Sequence, residues 1–195
     1  MAELRLPLDE QTVRNLKVGE GVELTGRMIT GRDAAHKWLL EGYRQEVAPF
    51  LEGTVIYHCG PVVRQQEDGS YEFVAAGPTT SIREEPYQAD VIERYRLRGV
   101  IGKGGMGQRT LAGLEKSGAL YLHAVGGAAQ VLAQAVKKVE RVFMLEEFGV
   151  PEALWVIDVE KFPVMVTMDA HGGSLHTEVE DYSKAQFEKL LGAPA

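Results

Sequence analysis

Cysteine is nearly missing from this sequence: Cys59 is the one example in 195 residues. No internal disulfide can form, and a single thiolate cannot hold a metal cluster or a structural zinc, each of which needs about three or four ligands. If a metal takes part in the chemistry, most of its ligands lie on another chain. Positive charge is also scarce. With 28 acids against 21 bases spread along the chain and a formal net charge of -7, there is no electrostatic footprint for nucleic acid. Any bound anion is therefore expected to be small and held locally. Long apolar runs are absent, and residues 1–10 show no basic stretch leading into an apolar one. No membrane span or leader is expected, and the default location is cytoplasmic. Nor is there a repeat, a low-complexity segment or a long linker, so a single domain over residues 1–195 is the expectation.

What is present is a chain 45% hydrophobic, enough for a sizeable core. Alternation over residues 4–8 reads as an edge strand, which tolerates Pro7. Residues 22–29 read as a strand with a bulge at Gly26, residues 53–60 as a buried strand, and residues 71–76 as a strand reached through an Asp68-Gly69 hairpin turn. Thr30-Gly31-Arg32-Asp33 has capping-box spacing ahead of Ala35, Trp38, Leu39, Tyr43 and Val47, which predicts a helix over residues 31–47. Helical patterns recur over residues 86–97, stopped by Gly99, over 108–116, ended by Gly118, and over 128–139, where Val131, Leu132, Ala135, Val136 and Val139 form a core stripe. Residues 119–125 are a strand candidate, residues 154–160 and 164–169 two strands interrupted by Phe162-Pro163, and residues 183–191 a short helix. The repeated order of strand, glycine turn and helix predicts an α/β layered domain rather than a bundle.

Two small-residue turns stand out because a packed core does not require them. They are Gly77-Pro78-Thr79-Thr80-Ser81-Ile82-Arg83 and Gly102-Lys103-Gly104-Gly105-Met106-Gly107, each with one cation. Gly102-x-Gly104-x-x-Gly107 spells a dinucleotide fingerprint, but no long strand precedes it and no acid occurs from Lys116 through Lys138, where a ribose-binding carboxylate would fall. A P-loop fails too, because Gly104 rather than Ser or Thr follows Lys103. What remains is general: glycines expose backbone N–H groups at a helix start, where carboxylate or phosphate binds, and Lys103 adds a full charge. A tight turn with a solvated lysine fits the spacing equally well. In the first turn a hydroxyl of Thr79, Thr80 or Ser81 can cap the next helix. Alternatively one of them serves as an acid/base, and its alkoxide would need cations such as Arg83 and Lys103 close by. Arg32 opposes the dipole of the helix it begins, a placement that makes sense if an anion sits there too. His36, His58, His123, His171 and His176 show no metal-ligand spacing and are assigned to packing or to the surface, and Cys59 to a buried strand.

Read together, Thr30-Gly31-Arg32-Asp33-Ala34-Ala35-His36, Tyr57-His58-Cys59-Gly60-Pro61, the Gly77 to Arg83 turn and Ile101-Gly102-Lys103-Gly104-Gly105-Met106 resemble the C-terminal domain of class I (iron–sulfur) fumarases. The same module occurs as the separate β subunit of two-subunit fumarases and of L(+)-tartrate dehydratase. Gly126-Gly127-Ala128-Ala129 and Pro151-Glu152-Ala153-Leu154-Trp155 extend the resemblance over nearly the whole chain. It implies a swivelling β/β/α three-layer fold and a hydro-lyase acting on a small dicarboxylate such as fumarate or malate. It further implies a hetero-oligomer in which an iron–sulfur α subunit, not this chain, holds a [4Fe-4S] cluster. Motif by motif, it gives Thr79 as catalytic base and Arg32, Arg83 and Lys103 as the cations around the substrate carboxylates. Fumarase is the first reading. L(+)-tartrate dehydratase and a non-catalytic dicarboxylate-binding module are the alternatives, and Ile82 and Glu84-Glu85 around Arg83 do not separate them.

Overall fold

A computed structural model describes residues 1–192. Its elements in chain order are β1 (Ala2–Arg5), α1 (Glu10–Arg14), β2 (Gly21–Thr30), α2 (Asp33–Glu41), β3 (Val55–Tyr57), β4 (Val62–Gln65), β5 (Tyr71–Ala75), α3 (Glu85–Tyr95), β6 (Gly99–Gly102), α4 (Gln108–Ser117), β7 (Leu120–His123), α5 (Ala129–Ala135), β8 (Val136–Phe143), α6 (Leu145–Phe148), β9 (Leu154–Met168) and α7 (Leu175–Leu191). Short 3-10 turns lie at Ala48–Phe50 and Ser81–Glu84.

Strands β2, β3, β6 and β7 run parallel. The long β9 lies antiparallel to both β7 and β2, so the pairings β2–β3–β6–β7–β9–β2 return to their starting strand. β1 extends β2, and β8 extends β9, outside this ring. Successive strand residues point to opposite faces. Val55, Tyr57, Ile101, Leu122, Trp155 and Ile157 pack in one apolar cluster with the β4–β5 hairpin and α5. Ile56, Val100, Tyr121, Leu154 and Val156 pack in the other with α2, α3 and α4. Burial on both faces is why these strands read as unbroken apolar runs. The arrangement is mixed α/β, with α2, α3 and α4 on one face and the hairpin with α5 on the other, consistent with an α/β three-layer domain.

Several expectations hold locally. Gly26 has φ +124, a bulge shifts the β2–β9 register beside it, and a Cβ there would meet the Leu6 carbonyl oxygen at 2.8 Å. The Asp68-Gly69 turn joins β4 to β5, and Gly118 ends α4 in the left-handed conformation. Others fail. Thr30 does not cap α2; it is buried, and its hydroxyl accepts a bond from Trp155 N at 3.1 Å. The helix is shorter than expected, ending at Glu41, so Tyr43 and Val47 lie beyond it. Arg96, left-handed at φ 54, and not Gly99, stops α3.

The stripe over residues 128–139 splits. α5 ends at Ala135 and Val136 opens β8, leaving Val131 60% exposed while Val136 and Val139 pack from the strand. β9 is one strand, not two. It turns at Lys161 (φ 52), which lets Pro163 sit within it and Phe162 stay buried. The terminal helix starts earlier than expected, at Leu175, behind a Ser174 cap. No helix among the described residues is long and apolar enough to cross a membrane.

Candidate active site

Parallel strands of α/β sheets gather ligands at their carboxyl ends. Here that edge carries Arg32 after β2, His58 after β3, Lys103 after β6 and His123 at the end of β7. The turn that leaves β5 is stitched onto the same edge. Pro78 bridges Cys59, and Thr80 bridges Lys103. Thr79 N–H donates to the His58 carbonyl at 2.7 Å, Lys103 N–H donates to the Thr79 carbonyl at 3.2 Å, and Ser81 N–H donates to the Lys103 carbonyl at 3.0 Å. The two turns, distant in sequence, therefore form one piece of backbone. Thr79 is half-buried, and its hydroxyl donates to the same His58 carbonyl at 3.1 Å.

The expected cations are in different states. Arg83 lies exposed on the 3-10 turn after Thr79 and pairs with Asp33 at 2.5 Å. Arg32 is the N-cap residue of α2, and the anion its position called for is Glu152 of the same chain. That carboxylate sits 3.1 Å from Arg32 Nη1 and accepts from Ala34 N at 3.1 Å, so it also satisfies the helix start. Gly60 makes room for this pair, since a Cβ there would lie 2.8 Å from Arg32 Nη1. Arg32 Nε is buried with no acceptor among the described residues. Lys103 forms no ion pair among them.

The helix start after the glycine cluster is not open either. Glu85 fills it, accepting from Gly107 N at 2.8 Å, Thr110 N at 3.1 Å and Thr110 Oγ1 at 2.7 Å. The glycine turn thus serves an internal carboxylate, and Lys103 is the part of it left for a ligand.

Sequence reasoning missed a buried polar group directly behind these turns. His36, His58, Ser81, Glu84, Gln88 and Tyr121 are all buried. His36 Nδ1 lies 2.8 Å from the Arg32 carbonyl and its Nε2 2.9 Å from the Gln88 amide; the same amide atom lies 2.7 Å from His58 Nε2. His58 Nδ1 is 2.8 Å from Ser81 Oγ, to which Tyr121 donates at 2.9 Å. Burial pushes both imidazoles down, His58 furthest, and pushes the Tyr121 phenol up. Burial, reinforced by the Asp33 charge, also lifts the Glu84 carboxyl to about 7, and its Oε2 has no hydrogen-bond partner. A signal for part of this group was present: Glu84 and Gln88 fall at helical spacing with Val91, Ile92 and Tyr95, on the face that packs inward.

A family model described as the fumarase C-terminus matches residues 2–179, a span that contains both turns and the buried group. The chain belongs to the fumarase C-terminal family. A Geobacillus stearothermophilus protein named "Putative fumarate hydratase class I" is 51% identical over 187 residues, covering 96% of this chain and 35% of that protein. This chain therefore spans about a third of that relative's length. A Methanocaldococcus jannaschii protein named "Putative L(+)-tartrate dehydratase subunit beta" is 41% identical over 188 residues, 95% of this chain and 96% of that one. The L(+)-tartrate dehydratase subunit beta of Escherichia coli K12 is 38% identical over 176 residues, 90% of this chain and 86% of that one.

An iron–sulfur cluster finds no fit among the described residues of this fumarase C-terminal chain. Cys59 is buried, its thiol pushed up to about 12 by desolvation against a smaller opposing pull from Arg32, so it stays protonated. No group of three or more His, Cys, Asp or Glu among the described residues is arranged to hold a metal ion.

Proposed function

We propose that this chain is the β subunit of a two-subunit iron–sulfur hydro-lyase, a class I fumarate hydratase that interconverts fumarate and L-malate. The observation that carries the reading is the backbone pairing of the two turns. It joins Thr79 to Lys103 at the carboxyl edge of the parallel strands, with Arg83 in the same turn as Thr79. Asp33, next to Arg32, links Arg83 to the start of α2.

A dicarboxylate that loses a proton from C3 accumulates negative charge, and fixed cations at its carboxylates lower the barrier. Arg32 and Arg83 suit that role because a planar guanidinium can hold both oxygens of a carboxylate. Lys103 adds a point charge on the other turn. Thr79 takes the C3 proton in this reading. Its hydroxyl rests as a donor to the His58 carbonyl, which holds the oxygen in place yet favours the protonated form. Generating the base requires that proton to pass to a water and on to solvent, and the Lys103 ammonium to balance the alkoxide. The [4Fe-4S] cluster belongs to a cysteine-rich α subunit in this reading, and both chains work in the cytoplasm.

Anaerobic co-expression with that subunit tests the reading. Fumarate hydration by the complex and by neither chain alone is expected, with loss of turnover but intact assembly in Thr79→Ala. A fully active Thr79→Ala would remove the base assignment. A second reading, L(+)-tartrate dehydratase subunit beta, is favoured by near full-length similarity to two proteins so named; under it the same complex dehydrates L(+)-tartrate in preference to L-malate.

A further inference from the structure

The side chains of the buried polar group behind the two turns take no part in the chemistry just described, yet their proton arrangement is determined. A backbone carbonyl can only accept, so the contact between the Arg32 carbonyl and His36 Nδ1 places the ring proton on Nδ1. Buried and neutral, His36 then offers Nε2 as an acceptor. The Gln88 amide 2.9 Å away must turn its NH2 towards it, the orientation that the two ends of an amide permit by a simple flip. The second N–H of that NH2 reaches His58 Nε2 at 2.7 Å, which makes this nitrogen an acceptor as well. His58, neutral for the same reason, carries its proton on Nδ1 and donates it to Ser81 Oγ at 2.8 Å. This orientation also converts the unpaired Gln88 N–H into an unpaired carbonyl oxygen, the less costly of the two.

The direction of the chain of bonds, from Gln88 through His58 to Ser81, is thus set by one carbonyl. The chain meets the site backbone at three places. One end is tied through His36 to the carbonyl of Arg32. In the middle, the His58 carbonyl receives both the N–H and the hydroxyl of Thr79. At the far end Ser81 N–H donates to the Lys103 carbonyl.

We propose that Gln88, His58 and Ser81 are positioning residues, a directed hydrogen-bond chain that holds the Thr79 hydroxyl and the Lys103 turn in register beneath the dicarboxylate site. Its catalytic consequence rests on the hydro-lyase reading; the direction of its bonds does not. Two measurements test it. Histidine 15N shifts of the full chain at neutral pH are expected to show His36 and His58 as neutral Nδ1–H tautomers; an Nε2–H tautomer at His58 overturns the proposal.

In the complex with its iron–sulfur partner, Ser81→Ala removes the acceptor, and the near-isosteric Gln88→Glu removes the donors. Each is expected to lower kcat, counted per folded and assembled complex, by about tenfold or more while KM for the dicarboxylate stays within about twofold; counting only assembled complex removes the drop that a general loss of stability would cause. If both variants assemble and keep kcat within about twofold of wild type, the positioning role is wrong. Should the wild-type complex turn over no dicarboxylate, the hydro-lyase reading falls by itself, and the tautomer at His58 decides the chain.

Discussion

Thr79 and Arg83 share one short motif but rest in different surroundings. The threonine hydroxyl is half-buried and aimed at a carbonyl, while the arginine is exposed and tied to Asp33. Thr79→Ala in the assembled enzyme should lower kcat by ~10²–10⁴-fold with little effect on stability, as measured by steady-state assay beside a melting curve. Glu84 makes a prediction about pH. Its folded-state carboxyl titrates near 7, above its ordinary value of 4.5, so the folded protein holds this proton more tightly than the unfolded chain does. The associated stability is complete below about 4.5 and is lost as pH rises through about 7. The loss is on the order of 3 kcal/mol. Urea titrations from pH 4.5 to 8 should show this fall in the difference between wild type and Glu84→Gln, in which the opposing rise from the buried, depressed imidazoles of His36 and His58 cancels.

Motif spacing revealed Thr79, Arg83, Lys103 and Arg32 as residues of interest, but not their partners. Glu152 meets Arg32 from far along the chain, and Asp33 meets Arg83 from the far side of the hairpin. No periodicity records such a pairing.

At the level of elements, two helices begin on borrowed carboxylates: α2 on Glu152 and α4 on Glu85. Glu85→Ala strips acceptors from Gly107 N and Thr110 and should cost about 1–2 kcal/mol, read from the urea midpoint. The same substitution opens the helix start to an outside anion, so phosphate should stabilise the variant more than wild type. The bulge at Gly26, the Asp68-Gly69 hairpin and the Gly118 stop were legible because each depends on local backbone geometry. The α5–β8 boundary was not. Val131, Leu132, Ala135, Val136 and Val139 satisfy a helical period, and what converts the second half into a strand is a partner, β9, that lies downstream. Pro163 misled in the opposite sense: the turn at Lys161 absorbs the proline and lets β9 continue to pair with β2.

Across the whole molecule, Trp155 joins the layers. Fully buried in β9, it stacks edge-on against Tyr71 and Phe73 of the hairpin and donates Nε1–H to the Val150 carbonyl at 2.9 Å. Trp155→Ala should cost about 3–5 kcal/mol in urea unfolding and render the β4–β5 hairpin the first segment cut in limited proteolysis. The hairpin delivers Thr79, so this variant should also lose turnover before it loses its fold.

The internal carboxylates have a consequence for how a substrate enters. Glu152 and Asp33 already occupy the guanidiniums, so under the proposed function arrival of a dicarboxylate would be a displacement, one set of acids traded for another. A monoanion that swaps with one internal acid gains little, because it replaces like with like. On the proposed reading a dianion would engage both arginines and Lys103, its second contact forming at the high effective concentration created by the first. On that reading the incumbents would discriminate by valence and, by standing ready to return, would speed product departure. Asp33→Asn vacates one post. It should lower KM by up to about fivefold, the worth of an exposed ion pair, and narrow the preference for dicarboxylates over monocarboxylates in competition assays.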